Sequence, residues 1–404
     1  MRVCAAGTRR TVQAREAPMP TPTPAPAQPE PTSPPVAPRA GPPAAPALIH
    51  WPDSARRVAF ESWLAAIAPR HGLLPQTLEP ASADASFRRY FRLGTEAVGA
   101  AQARGSLIVM DAPPPLEDVR PFVRVAGLIH AAGLHAPEVL ECDAEQGFLL
   151  LEDLGGELYL DALRAASPAR ADALMRDALR ALVHWQTHIP ASALPPYNEA
   201  LLARELALFP EWCVRREFGI EWTAAEQATW ERIGRLLIDS ALAQPQVAVH
   251  RDWMPRNLTV SDPNPGILDF QDAVAGPLTY DLASLLRDAF ISWDEEVELD
   301  WAVRWWQQAR RAGISMVDAQ GNDLGADFGE FWRALEWMGL QRHLKILGIF
   351  CRLKHRDGKP AYAADLPRFF NYATKVALRY APLRPLVRLL EPLSGREVTA
   401  GFTF

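Results

Sequence analysis

The run His250-Arg251-Asp252-Trp253-Met254-Pro255-Arg256-Asn257, followed by Ile267-Leu268-Asp269-Phe270-Gln271, holds the residues of this chain best suited to chemistry. An aspartate, an asparagine five positions on and a second aspartate twelve positions later are the set that a phosphoryl-transfer site on a kinase-like fold needs. One carboxylate accepts the proton of an attacking hydroxyl, while an amide and a second carboxylate hold the magnesium that bridges the ATP phosphates. A lone H-x-D-x-x-x-x-N arises by chance in many chains of this length. The second aspartate, placed behind an apolar strand, is what gives the set its weight.

The elements needed to position these residues are legible nearby. Val247-Ala248-Val249 and Leu258-Thr259-Val260 are short β-rich runs, and Ser261-Asp262-Pro263-Asn264-Pro265-Gly266 is a turn into a third. The set therefore sits on a strand, a loop and a hairpin, with Asp269 where the hairpin ends.

At 404 residues, with 49% apolar and 22% charged side chains, the chain has the make-up of an ordinary globular protein of about two domains. A net charge of −6 and the lack of a lysine-rich run argue against a general nucleic-acid binder. Cys4, Cys142, Cys213 and Cys351 lie far apart without C-x-x-C spacing, which excludes a disulfide framework and a cysteine-built zinc site. No apolar run approaches bilayer-spanning length, and the first ten residues lack the apolar segment of a secretory signal. The expectation is a cytoplasmic protein with no membrane, nucleic-acid or obligate protein partner.

Residues 18–46 carry 13 of the 37 prolines, so residues 1–48 read as a disordered, partly polyproline II tail, with Met19 a candidate start. A helical pattern follows over 52–69, then β-rich stretches at 86–93 and 106–110, a helix over 117–132 and a buried strand at 148–151. Beyond Gly155-Gly156 the periodicity is helical, over 157–189, 199–217, 223–243, 281–290, 294–312, 328–351 and 362–380. This predicts an α+β chain of two lobes: a small β-rich lobe over 49–153 ending in a linker strand, and a mostly helical lobe over 154–404 that carries the catalytic hairpin.

On these residues the chain resembles the aminoglycoside phosphotransferase and choline kinase superfamily, relatives of the protein kinases. The specific segments are V-H-R-D-W-M-P-R-N-L at 249–258, G-I-L-D-F-Q-D-A at 266–273 and G-P-L-T-Y-D-L-A-S-L at 276–285. Within it, S-A-D-A-S-F-R-R-Y-F-R-L at 82–93 and S-L-I-V-M-D-A-P-P-P at 106–115 resemble bacterial anomeric kinases for N-acetylmuramate and N-acetylglucosamine, which act in peptidoglycan sugar recycling. The resemblance implies a bilobal protein-kinase-like fold, ATP as donor, Mg2+ as cofactor and an amino-sugar acceptor. It makes Asp252 the catalytic base, Asn257 and Asp269 the metal ligands, and the linker strand at Glu152 and Leu154 the adenine site.

His250 is expected to orient the loop, and Asp281 to cap a helix while bonding the loop. Arg256 and Asp272 are candidates for sugar contact; Tyr280 and Arg287 are weaker ones. A muramic acid would add a lactyl carboxylate suited to an arginine, though the sequence does not say which. One departure from the kinase pattern stands out: Met110 occupies the position of the usual phosphate-binding lysine, and no glycine-rich loop precedes that strand. Arg88 and Arg89 are the nearest cations, and strand alternation allows only one of them to face the nucleotide, with Arg88 favoured. Glu117 is its candidate acidic partner.

Two other patterns are weaker. His184 and His188 lie four apart on a helix as in zinc peptidases, but Trp185 stands where the catalytic glutamate would be. Trp301, Trp305, Trp306, Phe331, Trp332 and Trp337 have the spacing of a helical core. Two alternatives to a sugar 1-kinase remain open at this level. One is phosphorylation of an aminoglycoside or other alcohol, with Asp294, Glu295, Glu296 and Glu298 as an acidic pocket. The other is a weakly active nucleotide-binding scaffold.

Overall fold

The computed structural model describes residues 49, 51, 53–83, 87–96 and 105–394; the expected proline-rich tail and residues 84–86 lie outside them. Helix α1 (Ser54–His71) begins where the Asp53 carboxylate accepts the Ala55 N–H at 2.9 Å. It ends at Gly72, whose φ of 59° costs a residue without a Cβ little. Strands β1 (Glu79–Ala83), β2 (Arg89–Gly94) and β3 (Ser106–Asp111) follow, then helix α2 (Arg120–Ala131) and strands β4 (Val139–Asp143) and β5 (Phe148–Glu152). Among the described residues they make an antiparallel sheet in the order β1-β2-β3-β5-β4.

Side-chain alternation in β2 and β3 divides the sheet into two faces. Phe91, Leu93, Leu107 and Val109 pack against Phe60, Leu64 and Ile67 of α1. The residues between them, Tyr90, Arg92 and Ile108, face the second lobe and line a cleft. β1 and β4 had no clear signal in the sequence: Glu-Pro-Ala-Ser-Ala lacks β-branched residues, and its pairing to β2 carries an irregularity between Pro80 and Ser82.

The second lobe opens with α3 (Tyr159–Ala165) and α4 (Pro168–His188), where one helix over 157–189 was expected. Pro168 has no N–H to continue the first helix and excludes Ser167 from α geometry, so Ser167 instead caps α4 through the Arg170 N–H. The helix expected over 199–217 is likewise divided, into α5 (Glu199–Leu206) and a π-helix (Phe209–Glu217) that contains Pro210. Helix α6 (Ala224–Ala243) starts at a capping box between Thr223 and Glu226.

Next come β6 (Gln246–Val249), β7 (Leu258–Thr259), β8 (Gly266–Ile267) and β9 (Val274–Pro277). β7 and β8 form the expected hairpin, whereas β6 pairs with β9, a strand the sequence reading did not identify. Helices α7 (Tyr280–Leu286), α8 (Glu295–Arg311), α9 (Phe328–His355), α10 (Leu366–Arg379) and α11 (Pro385–Ser394) complete the lobe, α11 being unexpected. The tryptophan-rich segments are core, as expected: Trp305 is fully buried and stacks on Phe331 with centroids 5.5 Å apart.

The long helix α9 is the axis of this lobe, and Gly348 lets the chain leaving α5 approach it. A Cβ at that position would lie 2.4 Å from the backbone carbonyl carbon of Leu208. Backbone cannot rotate aside as a side chain does. Gly348→Ala is therefore expected to cost about 1–3 kcal/mol of stability, read as a lower urea midpoint at an unchanged m-value.

Candidate active site

β6 delivers the chain to a loop, residues 250–257, that is anchored from three sides. Both oxygens of Asp281 accept backbone N–H groups of this loop, from His250 at 2.7 Å and from Arg251 at 2.9 Å. Asp281 is not the helix cap expected from the sequence: α7 starts after Thr279, and Asp281 lies fully buried inside its first turn. Burial pushes its carboxyl up to about 7, against the pull of the two N–H donors. The anchoring holds Arg251 at a φ of 78°, a backbone conformation a side-chain-bearing residue keeps only when its surroundings impose it.

His250 forms the second anchor. Its Nε2 lies 3.0 Å from the Leu268 carbonyl and its Nδ1 accepts the Asp252 N–H at 3.3 Å, a pattern that assigns the neutral Nε2–H tautomer. Burial pushes its pKa down to about 4, in agreement with that assignment. The ring thus couples the loop to the segment leading into Asp269. Trp185, whose Nε1 donates to the Ala248 carbonyl at 3.0 Å, braces the end of β6. His184 and His188 stack on one another at 3.8 Å and bond backbone carbonyls, as ordinary helix residues do.

Asp252, Asn257 and Asp269 come together on the cleft wall. Asn257 is buried and donates its amide to the Asp252 carbonyl at 3.0 Å, which leaves its side-chain oxygen as the group to offer a ligand. Its own carbonyl accepts the Leu268 N–H at 2.9 Å, so loop and hairpin move as one. Asp269 has a φ of 59°, a left-handed conformation that aspartate tolerates better than most residues, and Gln271 donates to its Oδ1 at 2.8 Å. An amide oxygen and a carboxylate are hard donors of the kind magnesium takes alongside water and phosphate. The residues present fit that ion.

The cleft encloses about 670 Å³. One end is lined by Tyr90, Arg92, Ile108, Leu151 and Leu154 from the sheet and linker, with Glu152 beside them. The 250–257 loop, including Arg256, also lines the cleft, as does the exposed Asp272 beyond the hairpin. Another part is formed by one stripe of α9, namely Arg342, Lys345, Ile346, Ile349 and Leu353, with Phe290 and Tyr362, whose rings lie against Phe350 of the same helix. That stripe has helical spacing and marks the face of α9 turned to the cleft.

The two arginines near the sheet separate as alternation requires. Arg88 lies toward the candidate site, 3.9 Å from Asp269 and 3.6 Å from Glu117, which sits in the turn before α2 and not on the helix itself. Arg89 is turned to the opposite face, correcting the expectation that either could serve the nucleotide. It joins Arg56 in pairing with the buried Asp111 and lies over the Trp51 ring at 4.2 Å. Arg287 and Tyr280 are also removed from consideration as sugar contacts. Arg287 is buried between Glu298 at 3.2 Å and Glu336 at 2.9 Å, and Tyr280 is fully buried. Of the proposed acidic pocket, Glu295 is taken up by Lys375 and Arg379, Glu298 by Arg287, and none of its four carboxylates lines the cleft.

Several cleft residues were missed in the sequence. Arg92 donates to Asp153 at 2.6 and 3.0 Å, and Ser106 joins at 2.7 Å; burial works to raise the Asp153 pKa, but these donors hold it below the usual range. The period-two step from Arg88 through Tyr90 to Arg92 was the available signal. Arg251 and Lys345 converge on the buried Glu205 at 2.6 and 3.0 Å, with Tyr197 donating to its other oxygen. Burial opposes the Glu205 charge, yet the two cations keep its pKa below normal. No local pattern announces that cluster, because its members come from α5, the loop and α9.

Comparison with known proteins agrees with this layout. The model of the phosphotransferase enzyme family matches residues 77–339. An N-acetylmuramate/N-acetylglucosamine kinase of Pseudomonas putida is 51% identical over 320 residues, 79% of this chain and 89% of that protein. Its counterpart of the same name in Pseudomonas aeruginosa is 49% identical over 348 residues, 84% of this chain and 98% of that protein. Among solved structures, a putative aminoglycoside phosphotransferase from Ralstonia eutropha superposes with a TM-score of 0.52 at 15% identity, covering 79% of this chain and 98% of its own. A choline kinase from Cryptosporidium parvum does so at 0.52 and 11% identity, covering 82% and 99%. With the family match running from the edge of the sheet into α9, across both lobes and every residue of the catalytic loop, the chain belongs to the phosphotransferase enzyme family.

Proposed function

We propose that this chain is an ATP-dependent kinase that phosphorylates the anomeric hydroxyl of N-acetylmuramate and N-acetylglucosamine, for recycling of peptidoglycan sugars. The observation that carries this reading is the opening of Asp252 into a cleft with an apolar, linker-lined part and a cation-bearing part. The names of relatives at about half identity over most of their length support the acceptor.

In this mechanism the Asp252 carboxylate accepts a hydrogen bond from the sugar's anomeric hydroxyl and takes its proton as the oxygen attacks the γ-phosphorus. The bond from that phosphorus to the bridging oxygen of ADP breaks as the new one forms. A hemiacetal hydroxyl is more acidic than an ordinary alcohol, so a carboxylate suffices as base. Asn257 and Asp269 would hold magnesium, which would supply charge neutralisation along the phosphates. Arg88, paired with Glu117 and close to Asp269, takes the place of the missing lysine on β3. Leu154 and Glu152 flank adenine through the linker backbone, and Arg256 and Asp272 contact the sugar. The free thiols of Cys142, Cys213 and Cys351 and the lack of any helix long and apolar enough to cross a membrane among the described residues agree with a cytoplasmic setting.

Cations along the acceptor end favour this reading over aminoglycoside modification. A polycationic drug would meet Arg256, Arg342 and Lys345 there, with the cluster at 294–298 directed elsewhere. Purified protein with ATP and magnesium is expected to convert both N-acetyl sugars to acid-labile glycosyl phosphates. Turnover of an aminoglycoside alone, or an acid-stable phosphosugar, would overturn the assignment. For the nucleotide side, Arg88→Ala is expected to raise the KM for ATP about ten-fold through loss of a charge-assisted contact. Arg89→Ala should instead lower the melting temperature by stripping Asp111 of a partner, with a smaller effect on KM.

A further inference from the structure

Arg342 is buried at 2% exposure, yet it lines the cleft. Its Nη1 has no hydrogen-bond partner, and the contact of Nη2 is the Met254 sulfur at 3.9 Å. Lys345, the other buried cation among the cleft residues described, shares Glu205 with the partly exposed Arg251, and the partly exposed Arg92 holds Asp153. Asp281 and Asp288 are close enough for their charge to be felt by Arg342. Neither reaches it with a hydrogen bond, however: Asp281 bonds the loop N–H groups, and Asp288 accepts from Phe290 and Ile291 through Oδ2 while its Oδ1 is buried without a hydrogen-bond partner. A desolvated guanidinium with an idle N–H is costly unless an anion completes it.

Resting on the acceptor assignment above, we propose that Arg342 is the receptor for the lactyl carboxylate of N-acetylmuramate and thereby sets the preference between the two sugars. The two acceptors differ only by that 3-O-lactyl arm. The anomeric oxygen must reach Asp252, and O3 lies two ring carbons further on. Arg342 reaches from α9 to Met254, two residues beyond Asp252 in the loop, and both line the cleft with Asp252. A guanidinium fork matches a carboxylate in shape and charge, and it exchanges the idle N–H for a charge-assisted bond. N-acetylglucosamine lacks the anion and leaves Arg342 without that partner. Arg256, half-exposed and over the Phe290 ring at 5.0 Å, is the competing candidate.

The test compares kcat/KM for N-acetylmuramate, its neutral methyl ester and N-acetylglucosamine, in the unaltered protein and in Arg342→Met and Arg342→Lys. The unaltered protein is expected to lose roughly ten-fold or more on esterification of the arm. Arg342→Met should be indifferent to esterification, with its ratio of N-acetylmuramate to N-acetylglucosamine turnover reduced by a similar factor. Arg342→Lys should fall between. An unaltered protein indifferent to esterification overturns the inference, and this measurement needs no variant to fold. So does an equal loss on both sugars with a raised KM for ATP, which would assign Arg342 to the phosphoryl group. Loss of the carboxylate preference in Arg256→Gln, with Arg342→Met retaining it, moves the role to the rim and overturns it as well. Turnover of neither sugar by the unaltered protein sinks the acceptor assignment itself, and this inference with it.

Discussion

Asp252→Asn is expected to lower kcat by about 100- to 10,000-fold, the usual contribution of a positioned general base, while leaving the KM for ATP within a few-fold. The structure makes this a clean substitution. What holds Asp252 in place is its backbone: its N–H goes to His250 and its carbonyl takes the Asn257 amide. Neither contact involves the carboxylate, so an amide of the same size leaves the loop as it was. A coupled ADP-release assay alongside a thermal melt separates the two effects, with activity lost and the melting temperature kept. An unchanged rate would remove Asp252 from the mechanism, and the nucleotide-scaffold alternative would then have to be taken up again.

Asp281→Ala should produce the opposite pattern, with stability and activity falling together. Two buried backbone donors, of His250 and Arg251, would lose their acceptor, each at a cost of about 1–3 kcal/mol. The loop would also be released from the strained Arg251 conformation that aims Asp252. Chemical denaturation and kcat measured on the same samples should both shift. Had Asp281 been a mere helix cap, stability would change and kcat would follow it only weakly.

The same residue sets a pH dependence. Its carboxyl, pushed up to about 7, is ionised only toward neutral pH, and only the ionised form offers both oxygens as acceptors. kcat is therefore expected to rise with pH through an acid limb near 7, and Asp281→Asn to lack that limb. Stability runs the other way. Between about 4 and 7 the folded state keeps a proton that the unfolded carboxyl has released, so this group takes stability away as pH rises and is level above 7. His250, pushed down to about 4, has the reverse effect: its contribution is lost as pH falls from about 6.5 toward 4. The two oppose each other over most of that range, which makes kcat a cleaner readout than the melting curve.

Much of the chemistry was legible before any coordinates. Asp252, Asn257 and Asp269 sit on one loop and one hairpin, and a hairpin's geometry follows from turn residues and spacing alone. The choice of Arg88 over Arg89 needed only the two-residue period of a strand. Proline carried signals that were underused: Pro168 and Pro210 divide helices that apolar periodicity joined, because periodicity reports which face is buried and not whether a backbone N–H is present.

By itself, then, the sequence determined the candidate reacting set, the order of the lobes and the chemistry of phosphoryl transfer, all of which depend on near neighbours in the chain. The tertiary structure alone decided the α9 wall of the cleft. Glu205, Arg251 and Lys345 meet from three separate elements, and Arg342 becomes a buried cation with an idle donor only because α9 turns that one stripe toward the catalytic loop. Such a stripe has the same helical period whether it faces a core or a cleft. What the opposite wall supplies, long-range packing settles.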